Sequence, residues 1–235
     1  MALIAAFLIT GIGRFGFVHR YLSHKNFQPH FIYKVAGLYL AVLSLTNLLP
    51  YAAIHRRHHE FSDTDKDSHN ANKIKYFSVF LEQINFKMDY ESISDLVNDS
   101  LIMWFSRNRI KLIFFTYLLI ICLDSLFNFE LKLVTSLILF PNVFQMLSAF
   151  LIFKCNHTYG YVNFNTGDNS KNTFVLTLLL GIGEHLHNNH HAKPWKVSFS
   201  EKWWEIDFVG FFNNLFSLNN SNQRNTNKVK ITHAN

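Results

Sequence analysis

Apolar residues fall into four long runs, Met1–Val18, Phe31–Ile54, Ile110–Phe129 and Leu131–Phe153, with polar residues gathered between and after them. A helix rises about 1.5 Å per residue, so roughly 20 residues cross a hydrocarbon core of about 30 Å. The third and fourth runs meet that length and are separated only by Glu130, which predicts a transmembrane helical hairpin. The first run has 18 residues with Arg14 among them and is read as another span. A cleaved signal peptide over Met1–Gly13 is the weaker alternative, because that stretch lacks a basic leading segment and a small-residue cleavage site. From Ser92 to Trp104, Ile93, Leu96, Val97, Leu101 and Trp104 recur at near-helical spacing, which predicts an amphipathic helix on the membrane surface or on a partner helix. Thr158–Asn172 is polar and turn-rich, and Leu218–Asn235 is an Asn/Lys/Ser-rich stretch read as a disordered tail. The chain is expected to form one domain over residues 1–217.

Composition sharpens this picture. Charged residues make up 16% of the 235, against about 25% in soluble domains. Hydrophobic residues reach 49%, 25 residues are Phe, and the formal net charge is +6. Cys122 and Cys155 cannot form a disulfide framework. A disordered chain, a disulfide-stapled domain and a typical soluble enzyme are all disfavoured. An all-α, multi-pass membrane protein is expected, and no nucleic-acid partner.

The chemistry lies in the placement of the 13 histidines. His19 and His24 form H-x-x-x-x-H after the first run. His55, His58 and His59 form H-x-x-H-H after the second, and His187, His190 and His191 repeat that pattern. His157 stands just after the fourth run. Two H-x-x-H-H patterns arise by chance in about one such chain in a thousand. On a helix, positions i, i+3 and i+4 share a face, so each pattern can aim its imidazoles at one locus. Imidazole suits iron, copper, zinc and nickel. Nine imidazoles are too many for one ion and fit two ions with four or five each, leaving positions open. A closed structural zinc site would use four ligands and usually thiolate.

A shared site also constrains topology. His24 precedes the second run and His55 follows it, so a single crossing by Phe31–Ile54 would put them on opposite faces. That run is therefore expected to lie in the interface or fold back, which Lys34, Ser44, Thr46, Asn47 and Pro50 make easier. Three crossings remain, at 1–18, 110–129 and 131–153. Arg20, Lys25, Arg56, Arg57, Arg107, Arg109 and Lys111 flank the histidine side and place it in the cytosol. A cytosolic helical cap would then hold the dimetal site.

The strings HRYLSH, HRRHHEFSDTDKDSHN and GEHLHNNHH resemble the three histidine boxes of integral-membrane fatty acid desaturases, most closely the acyl-CoA Δ9, stearoyl-CoA desaturase-like branch and its bacterial relatives. The resemblance runs from about Gly11 to Phe212 and includes NHTYGYVNF, GDNSKN and WWEID. It implies a di-iron centre held by His19, His24, His55, His58, His59, His157, His187, His190 and His191, with no catalytic side chain beyond it. It also implies O2, an acyl-CoA or acyl-lipid substrate, a cis double bond at the Δ9 position, and electrons from a ferredoxin or b-type cytochrome. Glu184, Asn188, Asp63, His69 and Asn156 are candidates for the layer around the ligands. Phe153 stands where the family has an Asn, and Arg14 lies in a helix that is normally apolar there. The family usually has one more helix ahead of the first box.

Other motifs fit less well. Gly11-x-Gly13-x-x-Gly16 matches a dinucleotide fingerprint but has no strand before it, so close helix packing is the preferred reading. Asp63-x-Asp65-x-Asp67 lacks the Gly and the final Glu of a calcium loop, and its carboxylates are expected to orient box histidines or solvate the loop. His185 reads as a bystander or as part of the layer around the ligands, and Trp203, Trp204, Glu205 and Asp207 as an interfacial belt with acidic anchors. The competing functions are a membrane di-iron hydroxylase or ketolase on another lipid, and a truncated, non-catalytic desaturase paralogue.

Overall fold

The computed structural model describes residues 1–67, 70, 88–175 and 182–218. Eight helices appear among them: α1 (Ala2–Ser23), α2 (Phe31–Leu43), α3 (Leu48–Phe61), α4 (Ser94–Val97), α5 (Ser100–Leu126), α6 (Lys132–Cys155), α7 (His187–Ala192) and α8 (Phe208–Leu215). The described residues form no strand, and only isolated bridges such as Tyr161–Asn172 and Asn172–Leu186 pin the loops. His69 and the expected tail beyond Leu218 lie outside the described residues.

α1 is the central element, and α2, α3, α6 and α8 all touch it. Phe17, Leu22, Phe27, Leu38, Leu48 and Ala52 meet in the main core around it. The glycines of α1 are there for packing, as the motif's preferred reading has it. A Cβ on Gly13 would lie 2.5 Å from the carbonyl of Leu40 in α2, so only hydrogen fits. From Phe7 to Ser23 the helix is wound in the π form, with each N–H reaching five residues back. Such a helix makes a turn in roughly four and a half residues, so residues five apart lie close to one face. In an α-helix they would be about 140° apart.

The second apolar run is broken. α2 and α3 meet at 90°, and the corner is held by Ser44 Oγ donating to the carbonyl of Ala41 at 2.7 Å and by Leu45 in a left-handed conformation (φ 58°). α3 then continues past Ile54 to Phe61, carrying three histidines on a helix. The amphipathic segment also differs from the single helix expected over Ser92–Trp104. Asp99 caps a new helix, accepting from the amides of Leu101 and Ile102 at 3.1 Å, and so divides the segment into α4 and the start of the 27-residue α5. Of its expected apolar positions Ile93 and Leu96 are buried and Val97 and Leu101 pack against the core, while Trp104 is exposed.

The turn between α5 and α6 depends on Asp124, a buried carboxylate near the end of the third apolar run. It accepts from the amides of Leu131 at 2.8 Å and Leu133 at 2.7 Å, the otherwise unpaired donors at the start of α6. Ala2–Ser23 and Lys132–Cys155 are long and apolar enough to cross a membrane, and the bent α2–α3 pair is a further candidate. Phe114, Phe115 and Leu119 of α5 and Leu139 and Leu147 of α6 turn their side chains outward, as a lipid-facing surface requires. The protein is a membrane protein of all-helical class.

On the histidine side, Arg56 of α3 grips Asp95 of α4 with both ends of its guanidinium, at 2.7 and 2.9 Å, and also donates to the carbonyls of Leu22 and Ser23. Burial works to raise the Asp95 pKa, but Arg56 and Lys25 outweigh it and bring it down to about 2. The carboxylate therefore stabilises the fold fully above its unfolded pKa of about 3.9, and that contribution is lost as pH falls toward 2. Asp95→Asn is expected to lower stability by about 1.5–3 kcal/mol at neutral pH, the range for hydrogen bonds to charged groups. Thermal unfolding in detergent checks this, and the gap between wild type and variant should narrow below about pH 4. Gly13→Ala should cost about 1–3 kcal/mol by the same assay, because backbone rather than a mobile side chain occupies the space.

Candidate metal centre

Four segments bring nine imidazoles together in two groups. His19, His24, His55, His59 and His190 form one, and His58, His157, His187 and His191 the other; within each group the ligand nitrogens lie within 4.8 Å of one another. The groups abut, the rings of His59 and His191 being 4.4 Å apart. Each H-x-x-H-H is therefore divided between two loci rather than aimed at one. In α3 the i, i+4 pair His55 and His59 joins the first group and His58 the second. In α7 the pair His187 and His191 joins the second group and His190 the first. The π winding of α1 brings His24, just past its end, onto the same side as His19, five residues earlier.

The donor set fits metal ions. In the first group the Nε2–Nε2 separations are 3.0 Å for His19–His190, 2.8 Å for His24–His55, 3.1 Å for His55–His59 and 2.9 Å for His59–His190. Nitrogens about 2.1 Å from an ion at right angles to one another are about 3.0 Å apart, whereas tetrahedral angles give about 3.4 Å. The spacing therefore suits a five-nitrogen site with a position open rather than a closed tetrahedral one. In the second group His157 and His187 stand 3.0 Å apart, and His191 Nε2 is buried with no protein partner.

Carboxylates hold the other ring nitrogen of four of the nine histidines. Glu184 binds His19 Nδ1, Asp67 accepts from His58 Nδ1 at 3.0 Å, Asp63 faces His157 Nδ1 at 3.2 Å, and Asp168 faces His191 Nδ1 at 2.7 Å. An imidazole that donates from Nδ1 to a carboxylate presents its Nε2 lone pair on the other side. Lone pairs converging at about 3 Å repel one another unless a cation lies between them. Burial, together with the neighbouring histidines, keeps His24, His187 and His190 well below the ordinary imidazole pKa, and burial brings His191 down to about 4. Neutral imidazole is the ligand form.

The remaining expected residues sit nearby with different tasks. Asn156 donates to the carbonyl of Glu184 at 2.8 Å and accepts from Thr173, so it shapes the loop before α7. Asn188 accepts from the amides of Asn163 and Phe164 at 2.7 and 2.9 Å and so holds the start of the loop that carries Asp168. His185 is fully buried, and both its ring nitrogens lack partners. Phe153 lines the cavity beside the second group, its ring 6.5 Å from that of His157, and offers no ligand atom. Glu205 and Asp207 are buried rather than interfacial, while Trp203 is 95% exposed.

Arg20 ties the site together. Its side chain is fully buried and donates to Glu184 at 3.0 Å from two nitrogens, to Asp207 at 2.9 and 3.0 Å, and to the carbonyls of Val197 and Ile182. Its guanidinium also stacks 3.9 Å over the ring of Phe199. Burial works to raise the Glu184 pKa, but His19 and Arg20 outweigh it, so the carboxylate is ionised. Arg20 looked like a flanking topological charge in the sequence, and Asp168 like a turn residue. Arg20 stands inside the first box string and Asp168 inside GDNSKN, and those strings were the signals that hinted at more.

A family model described as "Fatty acid desaturase" matches residues 1–206. The sn-1 stearoyl-lipid 9-desaturase of Synechocystis sp. is 28% identical over 226 residues, covering 93% of this chain and 68% of that protein. The sn-1 stearoyl-lipid 9-desaturase of Anabaena variabilis is 27% identical, covering 89% of this chain and 76% of its own length. The stearoyl-CoA desaturase of Sus scrofa is also 27% identical, covering 88% of this chain and 61% of that protein.

Glu184→Gln and Asp168→Asn are each expected to weaken metal binding about 10–100-fold, read by competition with a chelator. Arg20→Met leaves two buried carboxylates without their cation and should cost about 3–5 kcal/mol in thermal unfolding.

Proposed function

The chain belongs to the fatty acid desaturase family, oxidoreductases acting on acyl chains, and from that premise we propose that it inserts a cis double bond, at Δ9, into a saturated acyl chain carried on CoA or a lipid. The observation that carries the reading is the pair of histidine groups facing a narrow cavity of about 70 Å³ whose other walls include Phe15, Ala149, Ile152 and Phe153. A methylene C–H is neither acidic nor electrophilic, so no side-chain base or nucleophile can remove its hydrogen. Two iron ions held by the five- and four-histidine groups would supply the redox chemistry by which O2 is reduced. The balance is one O2, two electrons and two protons taken up, two hydrogens removed from adjacent carbons, and two waters formed.

The protein's own contribution is placement. The cavity is too narrow for a bulky group but admits an alkyl segment, and its aromatic and aliphatic walls keep water from the reacting carbons. Tyr51 stacks on His55 with the rings 10° from parallel and 5.7 Å apart, which fixes that imidazole's plane. Asp63 and Asp168 hold His157 and His191 from loops, and Glu184 holds His19 from the loop that Arg20 anchors. The relatives named as 9-desaturases support the Δ9 position. The basic residues flanking the histidines support a cytosolic site, reached by electrons from a ferredoxin or b-type cytochrome.

Expression in a desaturase-deficient host, followed by mapping of double bonds in total fatty acids, tests the proposal. Wild type is expected to produce a new Δ9-unsaturated species and His190→Ala none. A hydroxylated product, or no product from well-expressed, iron-loaded protein with a compatible donor, would overturn it.

A further inference from the structure

We propose that Arg14 is the anchor for a carboxylate borne on an alkyl chain, so that the protein accepts chains with a free acid group on the apolar side of the histidine site. Arg14 lies within the candidate span Ala2–Ser23 and is 3% exposed. Its Nη1 donates to Thr46 Oγ1 at 3.2 Å, and its Nε has no partner. Among the described residues the guanidinium otherwise meets the rings of Tyr51 and Phe15, at 5.5 and 6.0 Å, and interacts with the Glu184 charge without a hydrogen bond. No carboxylate among the described residues pairs with it, Glu184 being engaged by His19 and Arg20. Six residues along the same helix, Arg20 has two carboxylates. A buried cation without a counter-ion is expensive, and in an apolar helix such a residue marks a ligand path.

Arg14 borders two cavities. One is the narrow space beside the histidines, and the other is a larger space of about 570 Å³, within the usual range for small-molecule sites. The larger cavity is lined by a second guanidinium, Arg109, and by no acidic residue. Gln145, 4% exposed, faces it with an unpartnered amide oxygen, and turning that amide offers N–H to a carboxylate. Ile138, Val143 and Met146 supply apolar wall for methylenes. Two cations, an amide and an apolar wall match an amphipathic anion rather than a plain alkyl tail. The π winding that aligns His19 with His24 also sets Arg14, five residues before His19, near that face. A chain held at Arg14 would therefore lead to the histidines, with its reacting carbons counted from the acid group. That direction rests on the desaturase reading, but binding does not.

The test measures binding without turnover, on the full chain in neutral detergent at about pH 8, where a carboxylate is ionised. The probes are octadecanoate, its methyl ester and the half methyl ester of octadecanedioic acid. Both acids are expected to bind at least about tenfold more tightly than methyl octadecanoate. Equal binding of the two acids identifies a free fatty acid as the source of the carboxylate. Tighter binding of the half ester identifies a carrier-linked chain oxidised at its far end. Arg14→Met should erase the preference for acid over ester, and Arg14→Lys should retain part of it. Wild type that binds acid and ester equally, or Arg14→Met that keeps the preference, would overturn the proposal. If Arg14→Met fails to fold, Arg109→Met serves as the second variant and should reduce the preference severalfold. Failure here with a normal double-bond map would leave the desaturase reading intact.

Discussion

A single buried cation, Arg20, sets the terms for the rest of the molecule. It binds Glu184 and Asp207 at once, and these lie more than 160 residues further along the chain. Burying three charges is tolerable only because each finds its partners and the leftover donors find carbonyls. Asp207 in turn accepts from the amides of Phe199 at 2.7 Å and Gly210 at 2.7 Å, so the same cluster starts α8. Glu184 reaches past Arg20 to His19. One electrostatic knot therefore fixes the helix carrying the first histidines against the loop and helix carrying the last.

Around that knot the two histidine groups interlock. Every helix that contributes three histidines contributes to both groups, so neither can form without the other's scaffold. Three loops supply the four carboxylates, Asp63 and Asp67 sharing one of them, which makes the site a joint product of separate segments. Small segments such as the six-residue α7 could not hold an orientation alone. Asn188 and Asn189, between its histidines, tether it to the loop at Asn163 and to Glu205.

Much of this was legible in the sequence, for identifiable reasons. The nine histidines stood out because spacing on a helix is a local property, and the broken second run followed from requiring His24 and His55 to meet. The first and fourth apolar runs located the two helices long and apolar enough to cross a membrane, because crossing lipid demands hydrophobic length; the helix of the third run is not among those candidates. What local pattern could not reveal was the division of each triplet between two loci, because i, i+3 and i+4 share one face of an ideal helix. Nor could it reveal that Asp99 would cap a new helix inside an amphipathic segment, or that Glu205 and Asp207, next to an exposed Trp203, would turn inward. The inward turn of Asp207 depends on a partner far away in the chain, Arg20, whereas the Asp99 cap is made with amides two and three residues on.

The loose winding of α1 has a consequence for how the protein matures. Converting the π stretch to ordinary α-helix would restore better hydrogen-bond geometry, yet it would swing His19 and His24 to different sides of the rod. An ion held by both residues would bind only the loose form, and so by mass action it would help to hold the backbone there. The pitch of a candidate membrane span and the loading of a metal site would thus be one equilibrium, and filling the centre would amount to turning a screw.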